Sequence, residues 1–214
     1  MKKLNVGLVG LGFGGAFVPI YKDHPAVGNI GIFDTDTGRM EEFARTHGIQ
    51  RQYHSFDEIL RDKEVDAVHL VTPIPLHAEQ TVAVLDSGKH CACTVPMATS
   101  LEDLERITAA VRRSGKKYMM METTLYTRQF FYARQMLENG EFGKIQFLRG
   151  SHYQDMANWP SYWMGLPPMW YGTHAIAPMR VMAGSRIQKV HCFGSGTMEE
   201  WLARQYQNPD PGET

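Results

Sequence analysis

An α/β fold is expected: a Rossmann-type doubly wound parallel sheet, followed by the start of an α+β domain with an open, mostly antiparallel sheet. Three observations predict it. From residue 4 to about 121, short apolar runs alternate with amphipathic segments, the sequence form of repeated strand–helix units. The first run leads straight into the glycine-rich turn Gly10-Leu11-Gly12-Phe13-Gly14-Gly15. After Met121 the texture changes, and 214 residues suffice for one full domain and part of a second. The expected units are therefore 1–122 and 123–214.

In the first unit the strands are expected at 4–9, 30–33, 67–71, 90–93 and 118–121. The helices between them start at plausible caps: Ser55 with Glu58, and Thr99 with Glu102, both have capping-box spacing. In the second unit a helix over 125–138 ends at Asn139-Gly140, a good C-terminal stop, and 144–153 reads as a longer strand. The next stretch, DMANWPSYWMGLPPMWYG, is too rich in Pro for a regular element and too aromatic for an ordinary solvated loop. A helix over 173–183 and a strand over 187–193 follow. The second unit holds only two convincing strands, which cannot easily bury a core. Either the chain is a fragment or a partner completes it, and a homo-oligomer formed through the second unit's sheet is expected.

Lys plus Arg number 22 against 23 Asp plus Glu, and the net charge of -1 leaves no field to gather nucleic acid or anionic lipid. The start, MKKLNVGLVGLGFGG, superficially resembles a signal peptide, but its glycines are wrong for an apolar h-region, and no run of 18 apolar residues offers a membrane span. Cys91, Cys93 and Cys192 are odd in number and lack a second pair to complete a metal site, which suits a cytoplasmic, reduced protein. The expected partner is a small molecule.

Gly10, Gly12 and Gly15 satisfy G-x-G-x-x-G between a strand and a helix. The first makes the tight turn, the second lets backbone approach a pyrophosphate, and the third allows close packing of helix on strand. Phe13 and Gly14 complete the loop, whose helix N-terminus offers N–H groups to phosphate. Asp34, followed by Thr35, ends the second strand 24 residues after Gly10, where a carboxylate accepts hydrogen bonds from the adenosine ribose. That carboxylate would repel a 2′-phosphate, so NAD is expected over NADP. The plainer reading is a turn whose acid caps the next helix.

The stretch DAVHLVTPIPLHAEQTVAVLDSGKHCACTVPMATSLEDL resembles the Gfo/Idh/MocA oxidoreductases, the family of glucose-fructose oxidoreductase and inositol dehydrogenase. Thr72, Pro73 and His77 match its Thr-Pro-Asn motif and following His, with Ile74 for Asn, and Gly88-Lys89 match next. The family's Glu-Lys-Pro stands here as Thr94-Val95-Pro96, without the lysine that handles a proton beside the nicotinamide. ENGEFGKIQFLRGSHYQD is similar to the entry into the family's second domain. YGTHAIAPMRVMAG is similar to its Asp-x-Gly-x-His-x-x-Asp helix, keeping Gly172 and His174 but carrying Trp170 and Ala177 for the acids. The resemblance implies NAD binding through the glycine loop, Asp34, Thr35, Thr72, Pro73, His77, Thr94 and Pro96. Family members continue past residue 214, which agrees with the fragment reading.

His174 is the strongest catalytic candidate, since imidazole titrates close to working pH and can take a hydroxyl proton. Tyr171 and Tyr126 could share the role. Glu122, following a strand whose carboxyl end faces the ligand crevice, is placed with the cofactor. Trp159, Trp163 and Trp170, with Tyr162, suit stacking on a sugar ring, while His152, Asp155 and Asn158 could take its hydroxyls; an aromatic plug at an interface is the rival reading. The expected function is NAD-dependent hydride transfer at a secondary hydroxyl of a sugar, cyclitol or glycoside. The alternatives are an NAD-dependent glycosidase or lyase acting through transient sugar oxidation, and a non-catalytic NAD- or sugar-binding module.

Overall fold

The structure is a computed structural model that describes residues 2–154 and 168–194. It divides into two compact units, Met1–Met121 and Glu122–Thr214.

The first unit is a six-stranded sheet in the order β3-β2-β1-β4-β5-β6, every neighbouring pair parallel. The strands are β1 (Leu4–Val9), β2 (Val27–Phe33), β3 (Arg51–Gln52), β4 (Ala67–Leu70), β5 (His90–Thr94) and β6 (Tyr118–Met121). Connecting them are α1 (Phe17–Asp23), α2 (Thr37–His47), α3 (Phe56–Arg61), α4 (His77–Asp86) and α5 (Leu101–Ser114). Order 3-2-1-4-5-6 is the doubly wound arrangement, with its ligand crevice outside the carboxyl ends of the strands.

Successive residues of a strand point to opposite faces, and β1 shows it in its packing. Val9 lies in one core cluster with Ile59, Val68, Leu70, Leu85 and Ala110, whereas Leu8 lies in another with Leu11, Val18, Ile32 and Met40. Helices thus cover both faces, as a parallel sheet needs. Cys91 and Cys93, two residues apart on β5, are buried in the first cluster. Burial pushes the Cys91 thiol up to about 12 and that of Cys93 higher still. Cys192 is exposed.

β4 and β5 end within one residue of expectation, and further differences in the first unit fall at three places. β2 begins at Val27 rather than at residue 30. β3 was not expected at all: its two polar residues are held by pairing with Gly31 and Ile32. α5 is capped by Ser100, whose Oγ accepts from the Asp103 N–H at 3.1 Å, not by Thr99. Ser55 caps α3 as expected, accepting from the Glu58 N–H at 3.2 Å.

In the second unit a 3-10 turn, Thr123–Tyr126, precedes α6 (Arg128–Glu138), capped by Thr127. Another, Pro168–Tyr171, precedes α7 (Thr173–Ala183), which ends at the left-handed Gly184. Residues 144–153 and 187–193, expected as strands, carry none. Their alternating apolar side chains, Phe147, Tyr153, Val190 and Phe193, are more than two-thirds exposed. A strand persists only when a neighbour takes its backbone groups, and no such neighbour stands beside them among the described residues. The expected antiparallel sheet is therefore absent from the described residues. No described helix is long and apolar enough to cross a membrane.

Candidate active site

The glycine loop sits at the end of β1, where Gly10 N–H donates to the Phe33 carbonyl at 2.9 Å. Gly10 has φ +86°, and a Cβ there would lie 2.2 Å from the Val71 carbonyl oxygen, so only glycine turns the chain at this point. A Cβ on Gly15 would meet the Phe43 ring of α2 at 2.3 Å, so the close approach at this glycine is to a side chain of the next helix rather than to a strand. Gly12 differs: a Cβ there would meet nothing within 4 Å. Open space over a glycine on an α/β ligand loop fits a group that approaches backbone from outside, as a pyrophosphate does. Phe13 beside it is exposed, edge-on to Phe17.

Asp34 ends β2 and is 7 % exposed. One carboxylate oxygen accepts from the Leu11 N–H at 2.6 Å and the other from the Asp36 N–H at 2.8 Å. Arg39 stands 3.3 Å from both oxygens. The carboxylate therefore ties the glycine loop to the second strand and carries its own counter-ion. Thr35 next to it is exposed.

His77, buried at the start of α4, clamps the ends of β4 and β5 together. Its Nδ1 faces the Pro96 carbonyl and its Nε2 the Thr72 carbonyl, each at 2.8 Å. Burial pushes its pKa down, and the two carbonyls only partly oppose this. Thr72 Oγ1 donates to Gln80 at 2.6 Å, Pro73 precedes the 3-10 turn Ile74–Leu76, and Thr94 Oγ1 lies 3.5 Å from the Leu70 carbonyl. Val95 is buried at 6 % exposure, in keeping with a loop that holds shape rather than charge.

The second unit contains the candidate proton-transfer groups. His174, one residue into α7, places Nδ1 2.6 Å from Oε1 of Glu122, and the side chains are 11 % and 2 % exposed. The same oxygen accepts from the Thr124 hydroxyl at 2.7 Å and the Thr124 N–H at 3.1 Å, while Oε2 is buried without a partner among the described residues. Burial works to raise the Glu122 pKa, but Thr124 and His174 outweigh it and hold the carboxyl below its ordinary value. A carboxylate only accepts, so Nδ1 carries the hydrogen, and in the neutral ring Nε2 is the nitrogen with the lone pair. Pro178, one turn along α7, has no N–H to give the His174 carbonyl.

Tyr171 packs edge-on to His174, ring centres 4.9 Å apart; burial, and secondarily Glu122, raise its pKa. The His152 ring lies 5.0 Å from His174 and 5.6 Å from Tyr171. Tyr126 is instead exposed, against Phe131, and Trp170 is half-buried in the turn before α7. Asp155, Asn158, Trp159, Tyr162 and Trp163 lie outside the described residues. Glu122, expected beside the cofactor, has its carboxylate on His174 and Thr124. The partners are 52 residues apart, and nothing in the local pattern of either announces the pair.

Residues 4–122 match the family profile described as "Oxidoreductase family, NAD-binding Rossmann fold", and residues 130–212 match "GFO/IDH/MocA C-terminal domain". Levoglucosan dehydrogenase of Pseudarthrobacter phenanthrenivorans is 30% identical over 171 residues, covering 75% of this chain and 44% of its own length. A "Glycosyl hydrolase family 109 protein" of Shewanella pealeana is 25% identical, covering 98% of this chain and 52% of its own. The chain thus spans about half the length of these curated relatives. Among solved structures, a levoglucosan dehydrogenase in complex with NADH and levoglucosan is similar with a TM-score of 0.72 and 27% identity, covering 86% of this chain and 55% of its own.

Proposed function

The chain belongs to the Gfo/Idh/MocA family of oxidoreductases, and on that premise we propose that it oxidises or reduces a secondary hydroxyl of a sugar, cyclitol or glycoside with NAD. The observation that carries the reading is the Glu122–His174 pair, a proton acceptor in a chain that carries Val95 in place of the family's loop lysine. Residues 1–122 serve as the NAD-binding domain and 123–214 as part of the substrate domain. Gly10, Gly12, Phe13, Gly14, Gly15, Asp34, Thr35, Thr72, Pro73, His77, Thr94 and Pro96 would hold the dinucleotide, and the open space over Gly12 fits it. Bound NAD supplies the hydride acceptor. The protein's own task is the proton: His174 takes it at Nε2, and Glu122 stabilises the imidazolium that forms while Tyr171 supports the ring. Trp170, with Asp155, Trp159 and Trp163, is assigned to the substrate.

The test is NADH fluorescence with a polyol and glycoside panel that includes levoglucosan and myo-inositol. A substrate-dependent rise that disappears in His174→Ala is expected. A wild-type protein that reduces no NAD with any of them defeats the reading.

A second reading draws on the family 109 relative, whose match spans nearly the whole chain. In it, transient oxidation acidifies a neighbouring C–H and a glycosidic bond is eliminated without net redox change. Release of an aglycone with catalytic rather than stoichiometric NAD distinguishes it. We place the protein in the cytoplasm as a homo-oligomer. Two free buried cysteines suit a reducing compartment, and the exposed Phe147, Tyr153, Val190 and Phe193 suit an interface. Sedimentation across a concentration range tests the oligomer.

A further inference from the structure

We propose that His152 is the proton exit of this site, passing to bulk water the proton that His174 takes from the substrate hydroxyl. The inference rests on the oxidoreductase reading and deepens it. Every alcohol oxidised gives up one hydride and one proton, and the proton must leave before the next turnover. His174 is 11 % exposed and its Nδ1 is closed off by Glu122, itself 2 % exposed, so neither opens a route to water on that side. Tyr171 covers His174 edge-on at 4.9 Å, and burial and the Glu122 charge keep its phenol protonated, which makes it a poor acceptor.

Among the described residues the remaining ring beside it is His152, whose centre is 5.0 Å from that of His174 at an angle of 49°. It is exposed, so it touches both the buried base and the solvent. Its Nε2 lies 3.1 Å from the Gln154 side-chain oxygen and donates to it, which leaves Nδ1 with the lone pair. Each imidazole therefore has one nitrogen committed to a hydrogen bond and one open to a proton. The ring separation suits transfer through one bridging water. In balance, the hydroxyl proton moves to His174 Nε2, then to His152 Nδ1, and His152 gives up a proton to water; both rings end neutral.

The relay predicts a signature that a sugar-contact role does not. In His152→Gln, with NAD and whichever of levoglucosan or myo-inositol the wild type turns over, kcat should fall about tenfold in dilute buffer, with KM little changed. Concentrated imidazole buffer should restore it by carrying the proton instead. In the protein alone, the exchange of the His174 ring proton with water, followed by NMR, should slow severalfold in the variant. A raised KM at unchanged kcat, a loss that buffer does not rescue, or an unchanged exchange rate would each overturn the relay while leaving the oxidoreductase reading standing. A wild type inactive on both substrates would defeat both.

Discussion

A carboxylate behind an imidazole fixes which nitrogen is basic, and in this chain that choice sets what single substitutions should do. His174→Ala removes the proton acceptor, so turnover should fall by roughly two to four powers of ten, the usual contribution of a general base, with NAD affinity by calorimetry unchanged. Glu122→Gln can still offer an oxygen to Nδ1–H but not a negative charge, so its loss should be smaller, and a loss equal to that of His174→Ala would contradict this division of labour. At the other end of the chain, Asp34 holds the Leu11 N–H and faces Arg39. Asp34→Ala should weaken NAD binding far more than NADP binding, because it removes the ribose acceptor and frees Arg39 for a 2′-phosphate. Equal effects on the two dinucleotides would refute that role. His174 was legible as a candidate from its motif, but its partner was not. The acids expected near it stand as Trp170 and Ala177, and Glu122 reaches His174 only through the fold.

Strands and helices were legible where local chemistry is unambiguous. Leu4–Val9 and Tyr118–Met121 are apolar runs with clear ends, and Thr173–Ala183 runs up to a glycine stop. They were illegible where two registers are equally good: Thr99 and Ser100 are both hydroxyls with an acid three residues on, and the fold uses Ser100. Arg51–Gln52 has no strand signal of its own, because its pairing with β2 makes it a strand. The loop between β1 and α1 yields a paired test at this scale. Gly10→Ala puts a methyl against a carbonyl at a positive φ and should cost the first unit at least about 2 kcal/mol in urea unfolding. Gly12→Ala meets nothing within 4 Å and should leave stability within about 0.5 kcal/mol. It should nevertheless lower NAD affinity at least tenfold if dinucleotide backbone approaches there. A Gly12→Ala variant that binds NAD normally would remove the phosphates from this loop.

For the whole molecule, buried ionisable groups make stability depend on pH in a stated direction. His69 is 1 % exposed, accepts from or donates to Tyr21 at 2.9 Å, and is pushed by burial from 6.5 to about 4. The unfolded chain therefore binds a proton between those values that the folded chain refuses. The contribution is full above 6.5 and is lost as pH falls towards 4, so the first unit should lose about 2 kcal/mol between pH 7 and pH 5. His69→Asn should flatten that slope in urea titrations; an unchanged slope would place the acid sensitivity elsewhere. Glu122, held below its usual range, acts in the same direction at lower pH. The cysteines carry a different consequence, for chemical labelling. Cys91 and Cys93 are sealed in the first unit's core with raised thiol pKa values, and Cys192 is exposed. A maleimide dye should couple rapidly at one equivalent in the native protein and at three in denaturant. Any slow uptake of the second and third equivalents would then time the opening of the parallel sheet, giving the unmodified sequence its own clock for how often that core comes apart.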